Sequence, residues 1–361
     1  MKILYICTSL DSYLKEQINA LQEAKHHVDI LDILEYKLML DNGKSIFVRP
    51  KTKFKILEHF FVLDEVNEHI RRREIFDYLD RYDIVHLYKC SLYAVDLKDK
   101  IEKISLKYTI TPNYPLPKKN SKVDELYKNS KLFITQDSKH TDAFIQTYGY
   151  KNKVITLYKP VNLLKVFDSI NKEVYQKFLD YLHISEKKTN IFCHFKGSIH
   201  KQKELIVSLA NLPLQIKNKT TFFLYMDNKD KNLNKNLLLF LKDIKLDYVI
   251  VNKDSSDEQI AMLLKASNAS VFIDHSPFNH ILITSIYAKT HPFVFTAKEI
   301  EQFYKRNKIY IDDFSEFTYM FDKDEINDSL LSEVLNQSKQ RVYSLFSYEG
   351  FEESYIKETL R

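Results

Sequence analysis

Short runs rich in β-branched and aromatic residues alternate along this chain with segments whose apolar residues recur at helical spacing. KILYI (residues 2–6) is the first such run, and SYLKEQINALQEAKHH follows with Leu14, Ile18 and Leu21 on one helical face. VDILDI, YDIVHLY, KYTIT, KLFIT and KVITLY continue the series in the first half. TNIFCHF, TTFFLYM, YVIVN, ASVFIDH and PFVFT repeat it in the second half, separated by the helical segments QKELIVSLANL, KNLLLFLKDI, DEQIAMLLKAS and NHILITSIYAK. Strands that alternate with helices in this way predict parallel sheets flanked by helices. At 361 residues the chain is too long for one ordinary core and suits two. The long polar and helical stretch from Lys159 to Asn190 divides the halves. The expected domains are therefore 1–165 and 166–335, with a helical segment at 336–361.

Glycine decides what such sheets cannot do. Average usage of about 7% would give roughly 25 glycines in a chain of this length. Only four are present, Gly43, Gly149, Gly197 and Gly350. Neither GxGxxG nor GxxxxGK[ST] can be written with them, so function through a glycine-rich phosphate loop is excluded. Collagen-like and flexible-linker readings fall on the same count.

Cys7, Cys90 and Cys193 lie far apart, form no CxxC pair and fit a reducing compartment. No His or carboxylate stands at ligand spacing from them, so no metal is expected. MKILYICTSL reads as a strand and not as a signal peptide, and no run approaches the roughly 20 apolar residues that cross a bilayer. A cytoplasmic protein, or one peripheral at the inner face of the membrane, is expected. The formal net charge of +5 is uneven: residues 1–165 carry 28 Lys and Arg against 22 Asp and Glu, and the remainder 26 against 27. The excess falls in patches at Lys51, Lys53 and Lys55, at Arg71, Arg72 and Arg73, and at Lys118, Lys119 and Lys122. These read as a solvated face or as an anionic-membrane contact. Nucleic acid is not expected, because Tyr and Phe are not interleaved with the patches as stacking platforms.

The order of segments resembles the GT-B glycosyltransferases, in particular the large retaining nucleotide-sugar-dependent group. INALQEAKHHVDIL is similar to that group's "ALxxxGHEV" turn, with Lys25 in the glycine slot and His26 at the histidine. RYDIVHLY resembles "DVVHxH", with His86 at the first histidine. SKLFITQDSKHTDAFIQTYGYKNKVITLYKPVN matches the run into the interdomain linker, with Lys159-Pro160-Val161-Asn162 in the "NGVD" slot. SSDEQIAMLLKASNASVFID and FSYEGFEESY match two further segments, the latter a helix that crosses back to the N-terminal domain. The resemblance implies two doubly wound, Rossmann-like α/β domains facing each other across a cleft, the second binding the nucleotide sugar.

The same resemblance assigns candidate residues. In "FxGRLxxxKG" the sequence FKGSIHKQKE keeps Gly197 and Lys203 but has Ser198 for the arginine. Of the two glutamates in the Glu-x₇-Glu motif, one falls on Pro277 and the other on Ser285. The "GFG" glycines are Phe278 and His280. No "GG" loop occurs near Ser12 and Tyr13, and the acceptor-side histidine falls at or beside Pro112 and Asn113. The implied donor-binding set is Gly197, Ser198, Lys203, Asn252, Lys253, Ile281, Leu282, Thr284 and Ser285. Cations and backbone N–H groups at a helix start can hold a departing diphosphate without metal, so no cofactor is expected. His86, Asp274, His275 and His280 are the candidates for acid–base work, a histidine being suited to it by its near-neutral reference pKa. Each of these histidines has a structural reading as well.

Three functions fit. The first is transfer of a sugar from a UDP- or GDP-linked donor to a glycan or lipid-linked acceptor in surface polysaccharide or glycoconjugate synthesis. The second is a glycosyltransferase-like binding or scaffold protein without turnover, suggested by the missing glutamates and arginine. The third is an inverting enzyme with a histidine base. Nucleotide binding separates the first from a fold that has lost its donor.

Overall fold

The computed structural model describes residues 1–34, 37–47, 79, 81–91, 108–119, 121–185, 187–195, 199–226, 239, 241, 246–251, 254–272, 279–294 and 329–361. They cluster into two compact units, 1–160 with 348–361, and 161–347.

The first unit is built on an eight-stranded sheet in the order β4-β3-β2-β1-β5-β6-β7-β8. Its strands are β1 (Lys2–Cys7), β2 (His27–Asp32), β3 (Lys37–Met39), β4 (Ser45–Phe47), β5 (Ile84–Tyr88), β6 (Tyr108–Thr111), β7 (Leu132–Thr135) and β8 (Val154–Thr156). β2-β1-β5-β6-β7-β8 are parallel, and β3 and β4 add on antiparallel at one edge. Sequence periodicity does not reach β3 and β4, because three residues are too few to show alternation. Their one local signal is Asn42-Gly43, a turn dipeptide whose glycine takes φ 78.

Helix α1 (Ser12–Glu23) starts at Asp11, whose side chain accepts from the Leu14 N–H, and buries Leu14, Ile18 and Leu21 as their spacing requires. α2 (Ser121–Asn129) and α3 (Ser138–Tyr148) follow. α3 is capped by Asp137 at its start and closed by Gly149 at φ 80. The two faces of the sheet bury separate clusters. Leu4, Ile6, Val85, Leu87 and Phe133 lie in one. Ile3, Tyr5, Cys7, Ile84 and Tyr88 lie in the other, closed over by Tyr348, Phe351 and Tyr355 of the last helix. Burial on both faces is why these strands read as nearly continuous apolar runs.

The second unit opens with α4 (Leu163–Asp168) and α5 (Lys172–Tyr181), capped by Asn162 and Asn171. Its five strands are β9 (Thr189–Phe195), β10 (Thr220–Met226), β11 (Asp247–Val251), β12 (Ala269–Phe272) and β13 (His291–Val294). They pair in parallel in the order β11-β10-β9-β12-β13. The helices are α6 (Ile199–Ala210), α7 (Leu214–Lys219), α8 (Asp257–Ala266), α9 (His280–Tyr287) and α10 (Ser329–Phe346). α8 carries a full capping box between Ser256 and Gln259.

The last helix, α11 (Tyr348–Leu360), belongs to the first unit and packs on α1. His26 Nε2 lies 2.7 Å from Glu352 Oε1, and the Tyr348 hydroxyl donates to Glu16. The units divide after residues 160 and 347, where the sequence reading placed 165 and 335. The later division follows from α10, which packs on α9 within the second unit. Among the described residues no helix is long and apolar enough to cross a membrane.

Candidate functional site

In an open parallel sheet, side chains free to meet a ligand stand beyond the carboxyl ends of the strands, at the point where the strand order reverses. In the first unit that point lies between β1 and β5. Asp11 follows β1, and Lys89 follows β5 with a left-handed φ of 49. A lysine in this region is strained, and two backbone bonds hold it there: its N–H donates to Thr111 O at 2.9 Å, and its carbonyl accepts from Asn113 Nδ2 at 2.6 Å. The side chain then donates from Nζ to Asp11 Oδ2 at 2.7 Å. The Tyr88 hydroxyl sits 2.9 Å from both Asp11 oxygens and accepts from Gln136 Nε2 at 2.9 Å. Burial raises the Asp11 pKa, but Lys89, the Leu14 N–H and Tyr88 outweigh it and hold the carboxyl below its ordinary range. Tyr88 is pushed upward, by burial first and then by the Asp11 charge.

The network continues along the edge. Beside Gln136, Asp137 Oδ1 accepts from the His140 N–H at 2.7 Å, and Asp137 Oδ2 lies 2.8 Å from His140 Nδ1. Tyr114, from the loop after β6, donates its hydroxyl to His140 O at 2.8 Å. The Tyr114 and His140 ring centroids are 3.8 Å apart. Four strand ends thus bring together Asp11, Tyr88, Lys89, Asn113, Tyr114, Gln136, Asp137 and His140. Of these the sequence reading picked out only Asn113, as a neighbour of the expected acceptor-side histidine. The available signal was position: each residue ends a predicted strand or follows one within a few residues, in TSLD, LYK, TPNY and TQDSKH.

His86 is not part of this edge. It lies in the middle of β5, 0% exposed, paired in register with Tyr5 of β1 and Thr109 of β6. Its Nε2 is 2.9 Å from Thr111 Oγ1, and its Nδ1 is 2.9 Å from Thr109 Oγ1 and 3.3 Å from the Tyr355 hydroxyl. Burial lowers its pKa to about 3. The acid–base role expected for His86 is corrected accordingly: it is a hydrogen-bonded core residue whose nitrogens meet no solvent.

In the second unit the reversal lies between β9 and β12. Gly197, Ser198, Asn252, Lys253, Asp274 and His275 lie outside the described residues, as do the lysine and arginine patches at 51–55 and 71–73. Lys203 is exposed on α6, in its second turn. His280 is exposed at the start of α9, where Asn279 caps by accepting from the Ile281 N–H at 2.8 Å. Of Ile281, Leu282, Thr284 and Ser285, the donor-side role expected at this helix start rests on main-chain N–H groups, and a donor contact from the Ser285 side chain does not fit. All four are buried where α9 packs on α8 and α10. Thr284 donates to His280 O at 2.7 Å, and Ser285 donates to Leu282 O at 2.8 Å. What this helix can offer a ligand is the main chain of its first turn and His280.

His194, near the carboxyl end of β9, went unremarked in the sequence. It is buried in register with Tyr225 and Phe272, with ring centroids at 5.0 and 5.9 Å. All three cysteines are buried, and burial pushes the Cys7 thiol up to about 12. Among the described residues no group of three or more His, Cys, Asp or Glu is placed to hold a metal ion.

No family model and no curated protein sequence matches the chain. Solved structures do. A glycosyltransferase from Rickettsia africae is 14% identical with a TM-score of 0.63, over 100% of this chain and 98% of that one. Anabaena HepE in complex with UDP is 13% identical with a TM-score of 0.60, over 100% and 99%. Neisseria meningitidis UDP-GlcNAc 2-epimerase bound to UDP-GlcNAc is 12% identical with a TM-score of 0.58, again over 100% and 99%. At these identities the likeness establishes the fold. The chain has two Rossmann-like α/β units and the GT-B fold along its whole length.

Proposed function

We propose that this protein is a glycosyltransferase that moves a sugar from a nucleotide-sugar donor to a glycan or lipid-linked acceptor. The observation that carries the reading is the end-to-end likeness to structures holding UDP or a UDP-sugar. Those neighbours include an epimerase, so what they have in common is a bound uridine nucleotide and not one reaction. The second unit would take the donor, with Lys203 and the N–H groups at the start of α9 neutralising the diphosphate as it leaves. Ser198 stands in the arginine slot of the family motif, so the point charge of Lys203 acts without an arginine's two-pronged contact beside it, and donor binding of modest strength is part of the proposal. Metal is not required in this scheme, and EDTA should leave nucleotide affinity unchanged. The protein would act in the cytoplasm. Attachment to an anionic membrane through exposed Lys118 and Lys119 belongs to the same proposal, and sedimentation with anionic liposomes tests it.

A binding protein without turnover is the second reading. It is favoured by Ser285, 0% exposed and bonded within its own helix where the family pattern has a glutamate. Thermal-shift and calorimetric titration with UDP, GDP and their sugar conjugates decides between a donor-binding chain and a fold that has lost its donor. A well-folded sample that responds to none of them sinks the transferase reading. Release of UDP or GDP from a bound conjugate then separates turnover from binding.

A further inference from the structure

We propose that the corner formed by Tyr114, His140 and Asp137 in the first unit seats an uncharged sugar ring by stacking and by hydroxyl hydrogen bonds. Under the transferase reading, on which the identification of this ring as the acceptor rests, that ring is the acceptor sugar.

The argument begins with the rings. Tyr114 and His140 lie 3.8 Å apart between centroids, their planes tilted by 45° so that each supports the other, and both are only partly buried, at the carboxyl edge of a parallel sheet. Flat, half-covered rings beside a few fixed polar groups are the ordinary lining of a small-molecule site. The C–H face of a pyranose is the apolar surface such rings complement. Its hydroxyls need acceptors and donors around the rim, and the edge has both. The Asp137 side chain is 20% exposed and the His140 side chain 34%, leaving a carboxylate and an imidazole in reach of solvent. Gln136, Tyr88, Asp11 and Lys89 continue the polar row without a break.

The site is held before any ligand arrives. The loop after β6 is tied to α3 at two places, by Tyr114 to His140 O and by Tyr148 to Pro117 O at 2.6 Å. Asp137 is fixed as the cap of α3 and Asp11 as the cap of α1. Groups locked in this way lose little conformational entropy on binding, which favours a small polar ligand whose contacts are individually weak. Charge selects among sugars. The row contains two carboxylates, Asp11 and Asp137, against one ammonium, Lys89, and that ammonium is already committed to Asp11. A uronic acid or sugar phosphate placed on Tyr114 would meet the Asp137 charge. A neutral ring would not.

The probes are methyl glucopyranoside, methyl galactopyranoside and methyl glucuronide, observed by saturation-transfer NMR with the full chain. The expected result is saturation transfer to at least one neutral glycoside and weaker transfer to the glucuronide. Tyr114→Phe should retain the neutral glycoside, because the ring remains. Tyr114→Leu and His140→Gln should each weaken it at least tenfold, with the protein still folded cooperatively and the UDP response unchanged. Absence of transfer to both neutral glycosides overturns the proposal. So does equal binding by Tyr114→Leu and the parent, or preference for the glucuronide. If neutral glycosides bind and UDP does not, the sugar seat stands and the transferase reading falls. If UDP binds and neutral glycosides do not, the reverse holds.

Discussion

Lys89 Nζ lies 2.7 Å from Asp11 Oδ2, so the residues that follow β5 and β1 are joined across the point where the sheet changes direction. Asp11 also caps α1 and takes the Tyr88 hydroxyl, so removing it unseats three contacts at once. Asp11→Ala is expected to cost about 1–2 kcal/mol at pH 7, the scale of a lost helix cap with a partly exposed ion pair adding little. The folded carboxyl is held below its unfolded pKa, so its charge stabilises the fold above about pH 4, and that part fades as pH falls through the folded pKa. Urea unfolding of both proteins from pH 7 to pH 3 checks this. A difference that does not shrink at the acid end would count against it.

Scarce glycine leaves a mark at the ends of helices. Lys25, His183 and Lys289 follow α1, α5 and α9 in the left-handed region, at φ 63, 54 and 64. At Lys289 the turn is closed by Thr290 N–H donating to Ser285 O at 2.9 Å, the pattern that usually has glycine at this position. Left-handed backbone costs a side-chain-bearing residue roughly 1–2 kcal/mol, part of which glycine gives back as unfolded-state entropy. Lys289→Gly should therefore stabilise the protein by about 0.5–1 kcal/mol. Lys89→Gly, where the side chain bonds Asp11, should bring no gain. Midpoints of chemical denaturation compare the two.

His291 is buried at the start of β13, and neither of its ring nitrogens has a hydrogen-bond partner among the described residues. Burial lowers its pKa to about 4, as it lowers that of His86 to about 3. Unfolding returns each to near 6.5, so the unfolded chain takes up protons the folded one refuses. Stability is then complete above pH 6.5 and is lost as pH falls toward 4, by about 2 kcal/mol per histidine at pH 5. His291→Leu should remove one share of that slope while leaving stability at pH 7 unchanged or higher. Unfolding free energies at pH 7 and pH 5 would refute this if parent and variant fell equally.

Lys203 stands exposed in the second turn of α6, and the proposed donor site depends on its charge. Lys203→Ala is expected to weaken UDP or GDP binding about tenfold, equivalent to about 1.4 kcal/mol, without changing the melting temperature of the free protein. Calorimetry reads the affinity directly. An unchanged dissociation constant would take Lys203 out of the site.

Local pattern settled much of this protein before any contact was seen. The short, nearly continuous apolar runs KILYI and LFIT and the period near four through Leu14, Ile18 and Leu21 are properties of neighbouring residues, and they define parallel α/β units. Caps such as Asp11, Asp137 and Ser256 act within three residues and are legible for the same reason. Tertiary structure alone decided which polar residues do chemistry and which hold the core. His86 and His140 are equally good histidines in the sequence. Pairing of β5 between β1 and β6, under Tyr355, buries the first, while the start of α3 leaves the second at an open edge. Ser285 looked available until α9 was packed on two neighbours. Asp11 and Lys89 are 78 residues apart and meet because β1 and β5 are adjacent in the sheet. Such meetings depend on which strands pair across long loops, a choice made by the burial of the whole sheet and not written in any local period.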